Sequence, residues 1–137
     1  MNCNKDRIEN MIETLAKFTE DESKYTRFSY TEEDIMAKKY IIQNMKDLGL
    51  KIYMDYVGNI FGRKEGKNKK LPTILIGSHI DTVKNGGKYD GVAGIVVGLE
   101  ILKVLNENNI EMDYSVEVVA FAEEEGGTYG NVIKLRN

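Results

Sequence analysis

Acidic and imidazole side chains gather in three short stretches of this chain. Gly77-Ser78-His79-Ile80-Asp81 carries the single histidine, Asp90 follows after a glycine-rich loop, and Glu123-Glu124-Glu125 sets three carboxylates in a row. His79 and Asp81 are two apart, and on a strand such residues share a face. That spacing lets Asp81 hold one imidazole nitrogen while the other binds a metal; the plainer alternative is a histidine hydrogen-bonded within a loop. Ser78 is its immediate neighbour and faces the other way, which argues against a Ser–His nucleophile. Asp90 stands where a helix N-cap belongs, so capping competes with metal ligation as its role. The glutamate triplet is either a solvated acidic turn or a set of ligands. Carboxylates that converge with a histidine repel one another unless a cation sits among them. Mixed oxygen and imidazole donors suit zinc, manganese, cobalt or nickel. A carboxylate left without a metal could then act as general base toward water.

The elements that must position these groups follow from periodicity. Residues 5–20 read as an amphipathic helix through Ile8, Met11, Ile12, Leu15 and Phe18. Thr31 opens Thr-Glu-Glu-Asp as an N-cap, and a second helix runs to about Leu48 with Ile35, Ile42, Met45 and Leu48 inward and Gly49 as its stop. Residues 51–57 alternate as a strand, Gly58-Asn59 supplies a turn, and 60–65 continue as the second arm of a hairpin. The basic stretch 66–72 reads as a solvated connection. Residues 73–80 and 115–122 are apolar runs expected of strands buried on both faces. Between them 92–108 reads as a helix with a wide apolar face of Val92, Ile95, Val96, Leu99, Leu102 and Leu105. Strand, helix, strand makes a βαβ unit with parallel strands, hence an α/β fold. His79, Asp81 and Glu123–Glu125 then sit at the carboxyl ends of parallel strands, the edge where open α/β sheets bind ligands. Gly86, Gly87, Gly91 and Gly94 spell neither GxGxxG nor a P-loop, and are read as allowing tight turns and close approach.

Composition narrows the classes. At 137 residues the chain is one domain or part of one. Its net charge of −3 offers no electrostatic footprint for nucleic acid. The one cysteine, Cys3, excludes an internal disulfide and a CxxC zinc site, and the one histidine excludes a two-histidine site built within this chain. No run of about 18 apolar residues predicts a membrane span, and the polar start lacks the apolar core of a signal peptide. A cytoplasmic location is expected.

GSHIDTV, NGGKYDGVAGI and VEVVAFAEEEGGTYG, in that order and preceded by TRFSYTEED and DYVGNIFGR, resemble the M20-type metal-dependent amidohydrolases. The resemblance is nearest the N-carbamoyl-L-amino-acid hydrolase and allantoate amidohydrolase branch, the hydantoinase/carbamoylase family. It implies that His79 ligates one metal with Asp81 orienting it, that Asp90 bridges two divalent ions, and that Glu125 ligates the second. Glu124 would activate the water and then protonate the leaving amine. Strand alternation alone would pair Glu123 with Glu125, so the choice of base rests on the resemblance.

It also implies that residues 1–137 are the N-terminal part of the metal-binding catalytic domain. Longer relatives supply two further histidine ligands, polar residues for substrate, and a lid or dimerisation domain. The expected parent is a homodimer that cleaves the C–N bond of a small ureido or amide substrate, and this chain alone is expected to be inactive. The alternatives are an M20 aminoacylase or peptidase, and a truncated, catalytically silent product.

Overall fold

The computed structural model describes residues 2–21 and 23–129. In chain order these form α1 (Lys5–Ala16), α2 (Glu32–Asp47), β1 (Lys51–Met54), β2 (Ile60–Lys64), β3 (Ile74–His79), α3 (Val92–Glu107) and β4 (Val116–Phe121). The strands make one sheet in the order β1-β2-β4-β3. β1 and β2 form the antiparallel hairpin, β2 pairs antiparallel with β4, and β4 runs parallel to β3 with α3 as the crossover. The expected hairpin and βαβ unit are therefore fused into a single mixed sheet.

Helices α2 and α3 cover one face of this sheet. A side chain on Gly62 of β2 would strike Met45 of α2, and one on Gly98 of α3 would press against Ile76 and Val118. These close approaches draw both helices onto the strands. The core beneath them holds Ile41, Met45, Ile60, Ile95, Leu99, Leu102 and Val118. α1 packs outside α3, with Ile12 and Leu15 buried. Its start is capped by Asn4, whose Oδ1 accepts from the Arg7 amide at 3.1 Å.

The opposite face of the sheet is uncovered among the described residues. It carries the stacked Tyr53–Phe61 pair and the Arg63–Glu117 ion pair. This corrects the expectation that the strand over 73–80 is buried on both faces. β3 is an edge strand covered on one side only, and Ile74 and Leu75 are 38% and 51% exposed. β4, flanked on both edges, is the better covered strand. The first helix also stops at Ala16 rather than near residue 20, because the Leu15 and Phe18 carbonyls are taken by the guanidinium of Arg27. α2 is rotated from its expected setting: Ile35 faces solvent, while Asp34, Ala37, Lys38, Ile41 and Met45 face inward. Asp34 turns in because its carboxylate accepts from the Tyr30 amide and from Lys38 Nζ, each at 2.8 Å. Gly49 ends α2 as expected, at φ +71°.

Candidate metal centre

β3 and β4 end side by side, with His79 opposite Phe121 in the parallel register. The strand hydrogen bonding continues one step further, from the Ile80 amide to the Phe121 carbonyl at 2.9 Å. Beyond these strand ends the two segments leave the sheet, and the other candidate residues lie in the loops that follow.

His79 is 8% exposed. Its Nδ1 lies 2.9 Å from the main-chain carbonyl of Asp81. A carbonyl only accepts, so Nδ1 carries a proton, and in the neutral ring the lone pair is on Nε2. Nε2 faces Asp90 Oδ1 at 3.9 Å and Glu125 Oε1 at 4.0 Å. His79, Glu124 and Glu125 each offer a donor atom within 4.8 Å of the other two. Donors around a tetrahedral ion with bonds of about 2.1 Å lie roughly 3.4 Å apart. These groups therefore stand slightly wider than a closed shell, within reach of one by side-chain rotation.

Asp81 departs from its expected contact. Its carboxylate is 3.7 Å from Nδ1, beyond hydrogen-bond range, and orients the imidazole through its backbone instead. The buried carboxylate turns toward the other strand, where Oδ1 accepts from the Glu124 amide at 3.2 Å and Oδ2 from the Glu125 amide at 3.0 Å. One residue thus fixes the histidine by its main chain and the glutamate turn by its side chain. Ser78 lies against α3 beside Gly94, away from the imidazole's partners.

Asp90 does not cap α3. The residue before the helix is Gly91, with no side-chain cap, and the Asp90 side chain is 73% exposed beside the imidazole. Gly91 is required here: its φ is +68°, and a Cβ would lie 2.4 Å from His79 O and 2.5 Å from Cε1.

The three glutamates divide. The strand has ended at Phe121, so alternation no longer sets their direction. Glu123, at φ +56°, turns inward, and its Oε1 accepts from the Thr128 and Tyr129 amides at 2.9 and 2.6 Å. Its own amide donates to Ser29 Oγ. Glu124 is exposed and Glu125 half-buried, both on the imidazole side. Burial pushes the Glu125 carboxyl above the usual glutamate range; a charged His79 would oppose this, while Glu124 and Asp90 add to it. Among the described residues no lysine or arginine forms an ion pair with Asp90, Glu124 or Glu125. A divalent cation fits that donor set, with its surplus of negative charge.

Two further residues build the site and were not singled out by type or spacing. Asn59 caps the end of β4, its Oδ1 accepting from the Ala122 amide at 2.8 Å. Arg27 lies buried behind the Ile80–Thr82 segment. Burial pulls its pKa down while Asp34 and Asp81 push it back up. Both fall in the stretches TRFSYTEED and DYVGNIFGR, which carried the resemblance without an assigned role.

Comparison with known proteins matches residues 59–132 to the sequence model of peptidase family M28. The chain is 41% identical over 128 residues to an N-carbamoyl-L-amino-acid amidohydrolase of Pseudomonas sp. (strain NS671), covering 93% of this chain and 31% of that protein. It is 39% identical over 126 residues to an allantoate amidohydrolase of Bacillus subtilis (strain 168), covering 91% of this chain and 31% of that protein. In structure it is similar to a hydantoinase/carbamoylase family amidase from Burkholderia ambifaria, with a TM-score of 0.87, 32% identity, and coverage of 91% of this chain and 31% of that one. The chain thus spans about a third of the length of these relatives. No helix among the described residues is long and apolar enough to cross a membrane.

Proposed function

We propose that this chain, which belongs to peptidase family M28 and is similar to hydantoinase/carbamoylase amidases, forms the N-terminal, metal-binding part of the catalytic domain of an amidohydrolase. The whole protein would cleave a linear C–N bond in an N-carbamoyl amino acid or an allantoate-like ureido compound. The relatives' names support that substrate class. The observation that carries the reading is the gathering of the His79 imidazole with Asp90, Glu124 and Glu125 at the carboxyl ends of two parallel strands, without a lysine or arginine paired to them among the described residues.

In this reading His79, Asp90 and Glu125 would hold the divalent metal. Ions bound there would polarise an amide carbonyl and acidify water. Asp81 keeps the His79 lone pair directed outward. Glu124, exposed and anchored only by its main chain, takes the proton from water and returns it to the departing nitrogen, a role worth about 10²–10⁴-fold in rate. Three candidate ligands would leave a two-ion site short of the three protein ligands per ion typical of catalytic centres, so the 137-residue chain is expected to bind metal weakly and not to turn over substrate.

Titration calorimetry with zinc or manganese tests the site. Weak binding that His79→Ala abolishes is the expected result. Binding unchanged by His79→Ala would mean that exposed carboxylates alone hold the ion, and would sink the assignment. For the reaction, the whole protein carrying Glu124→Gln should lose hydrolysis of N-carbamoyl amino acids while still binding metal. Turnover of N-acyl amino acids or dipeptides alone would move the activity to the aminoacylase or peptidase reading.

A further inference from the structure

Arg27 is 4% exposed, and its known partners are all main-chain atoms or a hydroxyl rather than a carboxylate. Nε donates to the Ile80 carbonyl at 2.9 Å, and Nη1 donates to the Leu15 and Phe18 carbonyls, each at 2.8 Å. Its backbone grips Thr82, two residues further on: the Arg27 amide donates to Thr82 Oγ1 at 2.8 Å, and the Thr82 amide donates to the Arg27 carbonyl at 2.9 Å. The strap continues, with the Gly86 amide bound to Tyr25 O and the Asn85 amide to Thr26 Oγ1. Asp81 lies between the two residues that Arg27 holds, and it is Asp81 that orients His79 and the glutamate turn.

We propose that Arg27 is the positioning residue of the metal centre: it locks Ile80–Thr82 against the end of α1, so that the Asp81 carbonyl holds the His79 ring in its Nδ1–H form. The inference rests on the metal-site reading for its consequence, though not for its geometry. Two features suit arginine to the task. A planar fork reaches carbonyls on two sides at once, which a lysine ammonium on a flexible stem does not reproduce. The buried positive charge also interacts favourably with Asp81 and with Asp34. Removing such a support typically costs about 10–100-fold in metal affinity.

The single histidine makes the test direct, because every imidazole signal belongs to His79. Ring ¹⁵N shifts at alkaline pH and zinc calorimetry are compared for the parent chain, Arg27→Lys, Thr82→Val and Arg7→Met. The last breaks an ion pair between α1 and α3 remote from the site and controls for lost stability. Arg27→Lys should move the ring shifts toward a tautomer mixture and weaken zinc about 10–100-fold. Thr82→Val should do the same to a smaller degree, and Arg7→Met should do neither. Folded Arg27→Lys and Thr82→Val proteins with parental ring shifts and zinc affinity overturn the proposal, as does loss of zinc affinity in Arg7→Met in proportion to its loss of stability. Should Arg27→Lys not fold, Thr82→Val decides. A parent chain that binds no zinc while its variants still shift the ring retains Arg27 as the positioning residue and removes the metal reading.

Discussion

Two clusters of carboxylates in this molecule solve opposite problems. Between α1 and α3, Glu100 is 3% exposed, yet Arg7 meets it with two nitrogens at 2.8 and 2.9 Å and reaches Glu107 as well. The Asn4 amide adds a third donor to Glu100 at 2.7 Å. Charge and hydrogen bonds close locally, and the Glu100 carboxyl is held below its ordinary value chiefly by its bond with Arg7. At the sheet edge the amide donors go to Asp81, while Asp90, Glu124 and Glu125 face one imidazole and one another. There the Glu125 carboxyl is pushed up instead. A carboxylate cluster that carries its own arginine is a staple; one arranged around an imidazole, with no lysine or arginine of its own among the described residues, is built for a cation from outside.

The largest expected effect breaks the second cluster. Glu125→Gln should weaken zinc by about 100-fold or more, as loss of a ligand costs at least what loss of an outer support does, and calorimetry would show it. The metal-free protein should change in the other direction. A carboxyl raised in the folded state favours its protonated form, so its ionisation costs stability as pH climbs through the ordinary value of 4.5 toward the folded one. The variant removes that cost, and its melting temperature at neutral pH should equal or exceed the parent's. A lower one would mean that Glu125 stabilises the fold, as Glu100 does.

Gly91→Ala comes next. Holding a side chain at φ +68° costs about 1–3 kcal/mol in backbone strain alone, and the Cβ would displace the imidazole or the start of α3. Chemical denaturation should show that loss, with weaker zinc binding beside it. The same change at Gly87, where an added Cβ meets nothing within 4 Å, should leave both unchanged.

Much of this arrangement is legible in residue order, and the exceptions have physical causes. The wide apolar face of α3, the Gly49 stop and the βαβ crossover follow from local periodicity and turn chemistry, and they put His79 and the glutamates at one edge. The rotation of α2 does not follow, because Asp34 and Lys38 bury themselves as a bonded pair that hydrophobicity cannot foresee. Nor does the exposure of β3, since an apolar strand reads the same in the middle of a sheet and at its edge. Asp81 was expected to use its carboxylate on the histidine. Where the chain leaves β3, the Asp81 carbonyl is the group that meets Nδ1, and the carboxylate is bound instead by the amides of the segment after β4. Arg27 is invisible for another reason: its partners are main-chain carbonyls, which leave no mark on residue type.

The smallest effect sharpens the comparison from the side of the staple. Glu100 has its carboxyl pKa lowered by Arg7 and by the Asn4 amide. A depressed acid contributes stability that is fully present above its unfolded value, near 4.5, and is lost as pH falls through the lower folded value. Acid unfolding of the parent should therefore include a proton taken up by Glu100 in that window. Glu100→Gln cannot take it up. Its melting temperature should be lower at neutral pH, where the ion pair is gone, and should approach the parent's as both are titrated below pH 4.5. The gap between the two melting curves, followed with pH, measures the staple. A gap that stays constant down to the lowest pH would mean that Glu100 contributes by packing and hydrogen bonding alone, and the charge contrast between the two clusters would lose one of its halves.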